Sequence, residues 1–83
     1  MNRLDRGYRN IVKTKDGNYV LIDSRDTFDC GYETMVFRCE ENGNVENWLD
    51  IDVDRYSTLE EMIDGHTRMI KKWIAQGEKN EKS

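Results

Sequence analysis

The stretch STLEEMIDGHTRMIKKWIAQG, residues 57–77, decides the fold of this chain. Thr58 is a suitable N-cap, and Glu61 three residues later completes a predicted capping box at the start of a helix. Gly77 is a typical stop signal after the last turn. The apolar side chains recur at the spacing of one buried helix face, with His66 in the same stripe: Leu59, Met62, Ile63, Met69, Ile70, Trp73 and Ile74. We therefore expect one amphipathic helix that packs on another element.

Upstream of the helix, turn signals separate runs of strand-forming residues. Asp16-Gly17 lies between the segments at 8–14 and 19–22, and Asn42-Gly43 lies between those at 32–39 and 45–49. Such pairs favour tight hairpin turns, because glycine adopts positive φ without strain. The segment YETMVFRC at 32–39 is rich in β-branched and aromatic residues. The predicted fold class is α+β: an antiparallel meander of three to four strands packed by one C-terminal amphipathic helix.

Residues 49–54, LDIDVD, alternate strictly between aliphatic and acidic side chains. A strand of this pattern places the aliphatic residues on the core face and Asp50, Asp52 and Asp54 on the exposed face. The acidic spacing resembles the start of a calcium loop, but Arg55 occupies the position where that loop needs glycine, so we expect no metal site. The carboxylates form either a solvated strand face or an acidic recognition surface.

Composition predicts one small domain over residues 1–77 and a disordered charged tail at 78–83, where no apolar residue occurs. Basic side chains concentrate at both ends of the chain. From Asp16 to Asp64, fourteen carboxylates face three arginines, and the net charge of the whole chain is −4. Such a charge distribution affects partners and association rates rather than the fold.

The predicted location is cytoplasmic. The first residues lack the apolar core of a signal peptide, and no eighteen consecutive apolar residues suggest a membrane span. Cys30 and Cys39 fit a compartment in which thiols stay reduced. One histidine and the absence of a CxxC pair leave too few ligands for zinc, so we expect neither a metal nor a cofactor.

No catalytic constellation accompanies these features. His66 is the only histidine, but it lies on the apolar stripe of the helix, where a packed, hydrogen-bonded ring is the favoured interpretation. No nucleophile at a meaningful spacing pairs with it, so we expect no enzyme. Gly65 inside the helix predicts a close approach of the helix to a strand.

The tryptophans are the candidate binding anchors, since large aromatic side chains dominate many interfaces. Trp73 falls on the helix stripe and is predicted to be core. Trp48 is opposite in phase to Leu49, which favours exposure. The predicted partner-binding residues are Trp48 and its acidic neighbours Glu46, Asp50, Asp52 and Asp54.

The segment ETMVF at 33–37, the pair Arg55-Tyr56 and the spacing GHxxMxxxW at 65–73 resemble motifs in a group of short proteins encoded by bacteriophages and prophages. The likeness covers roughly residues 31–74. It implies a phage origin, a small sheet-plus-helix fold and a location in the host cytoplasm. It supplies no activity and no site residues, because those proteins are themselves uncharacterised.

We expect a small, non-enzymatic, acidic binding protein whose acidic surface modulates a basic, nucleic-acid-binding host protein. The alternative is a self-associating structural or assembly protein, in which basic ends pair with acidic middles to give a homodimer. Direct nucleic-acid binding is disfavoured because the chain as a whole is acidic. No membrane partner is expected.

Overall fold

The computed structural model of the chain describes residues 8–27 and 31–76. Its strands form one antiparallel sheet in the order β1-β2-β3-β4, which packs against a single helix. The bounds are β1 Tyr8–Lys13, β2 Tyr19–Asp26, β3 Tyr32–Cys39, β4 Asp52–Tyr56 and α1 Leu59–Ala75. The predicted α+β meander with one C-terminal helix is confirmed. Gly77 and the predicted tail at 78–83 lie outside the described residues, as does Cys30.

Both predicted hairpin turns are present at the same end of the sheet. Gly17 adopts φ +92° between β1 and β2, and Gly43 adopts φ +89° after β3. The Gly17 backbone N–H donates to the Thr14 carbonyl at 3.0 Å, and the Gly43 N–H donates to the Glu40 carbonyl at 2.8 Å. Glycine is favoured at both positions because side chains rarely tolerate this φ.

The strand predicted at 45–49 is wrong. Val45 forms one isolated bridge with Cys39, and regular pairing with β3 resumes only at Asp52. Between them the Asn47 side-chain oxygen accepts a hydrogen bond from the Leu49 N–H at 3.1 Å. Asparagine side chains that bind nearby backbone compete with a strand ladder, and here they favour a loop.

The chain enters β4 through an extra residue. The Ile51 N–H donates to the Val36 carbonyl at 2.7 Å, while Asp52 is the register partner of the same Val36. Two residues therefore oppose one, which is the arrangement of a β-bulge and shifts the alternation by one position. Ile51 packs on the core, Asp52 contacts the helix, and Val53 lies on the opposite face. The predicted placement of all aliphatic residues inside and all three aspartates outside is therefore wrong at Asp52 and Val53, and it is also wrong at Leu49, which is 73% exposed in the loop.

The main core lies between the sheet and α1. It consists of Val12, Val20, Ile22, Val36 and Met69, against which Ile51, Ile70 and Trp73 pack. The helix buries a narrower stripe than predicted, because Leu59, Ile63 and Ile74 are exposed. Its capping box is confirmed: the Glu61 N–H donates to Thr58 Oγ1 at 3.1 Å, and Glu61 Oε1 accepts from the Thr58 N–H at 3.3 Å.

Gly65 sits where α1 meets the aromatic ring at the end of β4. A Cβ at this position would overlap the Tyr56 ring and its hydroxyl oxygen. The predicted close approach is confirmed, and the absence of a side chain at Gly65 is what allows it. Burial in this contact raises the pKa of the Tyr56 hydroxyl above its ordinary value.

Replacing Gly65 by alanine is expected to destabilise the protein, because the ring or the helix must move to admit the methyl group. We expect the free energy of unfolding to fall by roughly 1 to 3 kcal/mol. In an open helix the same change would instead stabilise by about 1 kcal/mol. Urea denaturation measures the difference, with the exposed Thr67→Ala as the control on the same helix. A Gly65→Ala variant as stable as the wild type would contradict the close approach.

Candidate interaction surface

The helix covers one face of the sheet, and the other is called here the open face. Its residues alternate along each strand with those that pack against α1, so register alone assigns them. They are Arg9, Ile11 and Lys13 of β1, Tyr19, Leu21, Asp23 and Arg25 of β2, Glu33, Met35, Phe37 and Cys39 of β3, and Val53 and Arg55 of β4.

A second apolar cluster lies at the centre of the open face. Leu21, Phe37 and Cys39 are buried there although α1 lies on the other face, and Val45 from the loop after β3 packs against them. The loop also reaches toward β1, since a Cβ at Gly43 would lie 2.7 Å from Ile11 Cδ1. Residues 40–50 therefore act as a partial cover for this face.

Trp48 is the largest exposed apolar side chain of this loop. Its ring stands edge-on against Phe37, with centroids 5.0 Å apart and planes at 70°, yet 61% of the residue is exposed. Ile11 and Val53 on the same face are 46% and 41% exposed. An exposed tryptophan supported by a buried aromatic ring has the character of an interface anchor. Trp73, in contrast, is half-buried against the main core, as predicted.

Three arginines lie at the end of the open face that is farthest from the Gly17 and Gly43 turns. This part of the face is called here the arginine end and comprises Arg9, Arg25 and Arg55. Asp23 is almost fully buried between two of them: it contacts Arg25 Nη2 and lies 3.6 Å from Arg9 Nε. Arg55 Nε lies 3.5 Å from the Glu33 carboxylate on the neighbouring strand. The arginine side chains themselves remain at least half exposed.

The opposite part of the open face, called here the loop end, lies beneath the loop and includes buried Cys39. Burial raises the pKa of the Cys39 thiol, and the charges of Glu46 and then Glu40 raise it further, which places both carboxylates near this edge of the cluster. A raised pKa reduces the fraction of thiolate, which is the reactive form. Lys13 is also at this end, 6.0 Å from the centroid of the Tyr19 ring.

The predicted acidic residues do not share one surface. Asp50 is exposed in the loop beside Trp48 and Glu46. Asp52 faces the helix, where Lys72 Nζ donates to its Oδ2 at 2.8 Å and Trp73 Nε1 donates at 3.0 Å. Asp54 pairs in register with Thr34, whose side chain is buried under α1.

The two strand aspartates have a second, local contact. Asp52 Oδ1 accepts a hydrogen bond from the Val53 N–H at 3.0 Å, and Asp54 Oδ1 accepts from the Arg55 N–H at 3.1 Å. β4 is an edge strand, and edge strands need protection from pairing with other chains. The aspartates occupy backbone donors of this edge, which gives the alternating carboxylates a structural role.

The contacts of Asp52 determine its ionisation. Partial burial alone would raise its pKa, but the hydrogen bonds from Lys72 and Trp73, the Lys72 charge and the Val53 N–H together hold the pKa below its ordinary value. The carboxylate thus stabilises the fold above about pH 4, and that contribution is lost as the pH falls through its folded-state pKa.

Asp52→Ala and Asp50→Ala form a matched pair of substitutions. Removing Asp52 leaves Trp73 Nε1 and Lys72 without their acceptor, so we expect a loss of about 1 to 2 kcal/mol in the free energy of unfolding. Asp50 is exposed, and its replacement is expected to change stability by less than about 0.5 kcal/mol. Chemical denaturation at neutral pH distinguishes them, and equal effects would contradict the structural role of Asp52.

His66 belongs to a buried polar network beneath α1. Its Nδ1 lies 2.6 Å from Ser24 Oγ, its Nε2 lies 2.7 Å from Asn10 Oδ1, and Ser24 also contacts Thr34 Oγ1. Because an amide oxygen only accepts, Nε2 donates to Asn10, and the Ser24 hydroxyl donates to Nδ1. Tyr8 packs against the imidazole with ring centroids 5.4 Å apart.

This serine, histidine and asparagine have the composition of a catalytic triad but not its accessibility. Ser24 has 0% exposure, so a substrate cannot reach its hydroxyl while the helix is in place. The network instead ties α1 to β1, β2 and β3. Sequence reasoning missed Ser24 and Asn10. The available signal was a polar residue at a position where a strand faces the core: Ser24 is in phase with Ile22 on β2, and Asn10 is the register partner of Ile22.

Burial lowers the pKa of His66 below its ordinary value, and the Asp23 charge opposes this change without overcoming it. The unfolded chain consequently binds a proton at higher pH than the folded chain. The stabilising contribution of neutral His66 is fully present above its ordinary pKa of about 6.5 and is lost as the pH falls toward the folded-state pKa.

We therefore expect the urea midpoint of the wild type to fall as the pH is lowered from about 7 through the ordinary histidine pKa of about 6.5, because the unfolded state gains more proton there than the folded state. His66→Gln keeps a hydrogen-bonding side chain but does not titrate, and its midpoint is expected to vary less over the same interval. The comparison is direct, since the sequence contains one histidine. Parallel pH profiles for the two proteins would contradict the assignment.

Other kinds of site are poorly represented in the described residues. A shallow cleft of about 270 Å³ between β4 and α1 is lined by Arg55, Tyr56, Ser57, Glu61, Asp64 and Arg68, which combine opposite charges. Within residues 8–27 and 31–76, no three histidine, cysteine or acidic side chains are grouped to hold a metal ion. In the same part of the chain, no helix has the length and apolar character to cross a membrane.

Comparison with known proteins returned no relationship: no family model, curated protein or solved structure matches the chain.

Proposed function

We propose that this protein is a non-enzymatic binding protein that recognises a protein partner through the open face of its sheet. The observation that supports this most directly is Trp48, which is 61% exposed while its ring rests on buried Phe37. The Phe37 ring holds this large apolar side chain in a solvent-exposed position. Burial of such a side chain by a partner lowers the free energy of the complex. Ile11 and Val53 extend the apolar surface around it.

The loop that presents Trp48 is held in place before any partner binds. Val45 packs on Leu21, Phe37 and Cys39, and the turn is closed by the hydrogen bond from the Glu40 N–H to the Asn44 carbonyl at 3.0 Å. An anchor that is already ordered loses less conformational entropy on binding. An ordered loop of this kind is more typical of a binding surface than of a loop that only contacts solvent.

The acidic residues have a secondary role in this proposal. Glu46 and Asp50 lie in the loop with Trp48, where exposed charges influence association rate and salt dependence more than affinity. Asp52 and Asp54 are engaged with the helix and with the edge of β4. A basic host protein remains the proposed partner, and a phage origin with action in the host cytoplasm rests on the resemblance of the ETMVF and GHxxMxxxW motifs.

Within residues 8–27 and 31–76, the environments of Ser24 and Cys39 support a non-enzymatic function. Ser24 is fully buried, and the pKa of the buried Cys39 thiol is raised rather than lowered. An activated nucleophile needs the opposite environment, with access for the substrate and stabilisation of the charged form.

A capture experiment from the lysate of the native host tests the proposal. Trp48→Ala is expected to reduce the amount of captured partner at least tenfold, since loss of an anchor costs about 2 kcal/mol or more. Ile74→Ala, which removes an exposed apolar side chain from the helix, is the matched control and is expected to capture as much as the wild type. Equal capture by Trp48→Ala and the wild type would contradict the proposed surface.

A further inference from the structure

We propose that the outer edge of β1 is a second binding surface, which takes an extended, acidic segment of a protein partner as an additional strand of the sheet. This site is separate from the proposed contact through Trp48. The inference follows from the direction of the backbone groups of β1, from the charge of its side chains and from the apolar flank of α1 beside it.

The hairpin turn determines which backbone groups of β1 point away from β2. The Thr14 N–H donates to the carbonyl of Asn18, its partner across the turn, at 2.8 Å. In an antiparallel ladder such hydrogen-bonded pairs alternate with pairs that do not bond one another. Counted back through the register from this pair, every second residue of β1 bonds to β2. The N–H and carbonyl groups of Arg9, Ile11 and Lys13 therefore point outward.

The two edges of the sheet differ in how their outward N–H groups are occupied. On β4, the N–H groups of Val53 and Arg55 are bonded to the carboxylates of the preceding aspartates at 3.0 and 3.1 Å. On β1, no group within residues 8–27 and 31–76 accepts from the outward N–H groups of Arg9, Ile11 or Lys13. Extended peptides add to a sheet at an edge whose donors and acceptors are open. β1 is the edge of this kind.

Basic side chains determine the kind of strand that fits this edge. Arg9 and Lys13 are exposed on β1, and β1 itself contains no carboxylate. On the neighbouring segments, Asp23 is shared between Arg9 and Arg25, and Asp16 is bonded within its own turn. An added strand sets its side chains directly beside those of β1, where opposite charges attract and like charges repel. The edge therefore favours an acidic segment.

The same charges disfavour a second copy of β1 as the added strand. Only a two-fold axis through Ile11 pairs all three outward residues of both copies. Arg9 of each copy then lies opposite Lys13 of the other. Like charges directly opposite one another destabilise an antiparallel pair, and this arrangement contains two such contacts.

The flank of α1 on the β1 side provides an apolar wall for the added strand. Gly65 contacts Tyr56 of β4, whereas the next residue, His66, bonds to Asn10 of β1. At about 100° per residue, Ile63 lies about 60° beyond His66 on the side away from Gly65. Ile63 is 38% exposed and is therefore open to further contacts on this side.

The two sides of the added strand have different surroundings. Side chains on the side of the open face lie beside Arg9 and Lys13 and are expected to be acidic. Side chains on the side of the helix lie near Ile63 and are expected to be apolar. The exposed charges farther around the helix have both signs, so β1 determines the preferred charge. The ligand is thus an extended segment that alternates apolar and acidic residues.

A peptide titration of the isotope-labelled full chain, followed by amide NMR, tests this site. The probe is a blocked peptide of about eight residues that alternates valine and glutamate, and its counterpart carries lysine in place of glutamate. We expect the glutamate peptide to shift the amide signals of Arg9, Ile11 and Lys13. We also expect it to slow their hydrogen exchange at least threefold, because their N–H groups become bonded. The lysine peptide is expected to leave these signals unchanged.

Reversal of one charge gives a test that a folding defect does not imitate. Lys13→Glu is expected to raise the dissociation constant of the glutamate peptide at least fivefold and to make the chain bind the lysine peptide instead. Raising the salt to about 0.5 M is expected to weaken binding of the glutamate peptide to the wild type, because the Debye length falls well below 10 Å.

A matched pair of apolar substitutions tests the helix wall. Ile63→Ala is expected to raise the dissociation constant of the glutamate peptide at least twofold, because the apolar side chains of the peptide lose a contact. Val53→Ala removes a side chain of similar exposed fraction from the other edge strand and is expected to leave the dissociation constant unchanged.

Absence of amide shifts in β1 at about 1 mM glutamate peptide would overturn the inference. Equal binding of the two peptides would also overturn it, since charge would then not select the strand. Shifts in β1 that depend on protein concentration without peptide would replace the proposed occupant by a second copy. Trp48→Ala is expected to bind the glutamate peptide as the wild type does, and a loss of binding in this variant would contradict a separate site. The proposed function is decided independently, by capture of a partner through Trp48.

Discussion

A four-stranded sheet has two faces, and the described part of this chain has one helix with which to cover them. That constraint organises the remaining structure. The helix covers the face formed by Val20, Ile22 and Val36, and the approach is close because Gly65 meets Tyr56 without an intervening side chain. The other face must then be shielded by something shorter than a helix, because its cluster around Phe37 would otherwise remain in water.

The loop after β3 provides that partial shield, and the position of its residues determines which apolar side chains stay exposed. Val45 covers the second cluster, Trp48 stands on Phe37, and the bulge at Ile51 and Asp52 returns the chain to the sheet. The shield is incomplete, so Ile11, Val53 and most of Trp48 stay exposed, with charged side chains around them. A surface of this kind combines a desolvation gain at the centre with charged groups that orient a partner at the rim.

Polar groups inside the domain serve the same architecture. His66 and Ser24 satisfy one another beneath the helix, and Asp52 accepts hydrogen bonds from Lys72 and Trp73 at its edge. Buried polar groups are tolerated only when they are paired, and pairing across elements fixes the position of the helix more specifically than apolar contacts do. Residues that resemble a catalytic set or a metal-binding spacing are in this protein parts of the scaffold.

The sequence by itself determined the elements whose causes are local. The capping box of Thr58 and Glu61, the turns at Gly17 and Gly43 and the strand at 32–39 depend on neighbouring residues, and each is where its pattern predicts. Trp48 is exposed, but not for the reason that its phase suggested, because Leu49 is itself 73% exposed and both residues lie in a loop rather than a strand. Tertiary structure decided the facing of Asp52 and Val53, because one extra residue opposite Val36 reverses the alternation. It also decided the pairing of His66 with Ser24 and Asn10 and the open face itself, since these join residues far apart in the chain that no local periodicity relates.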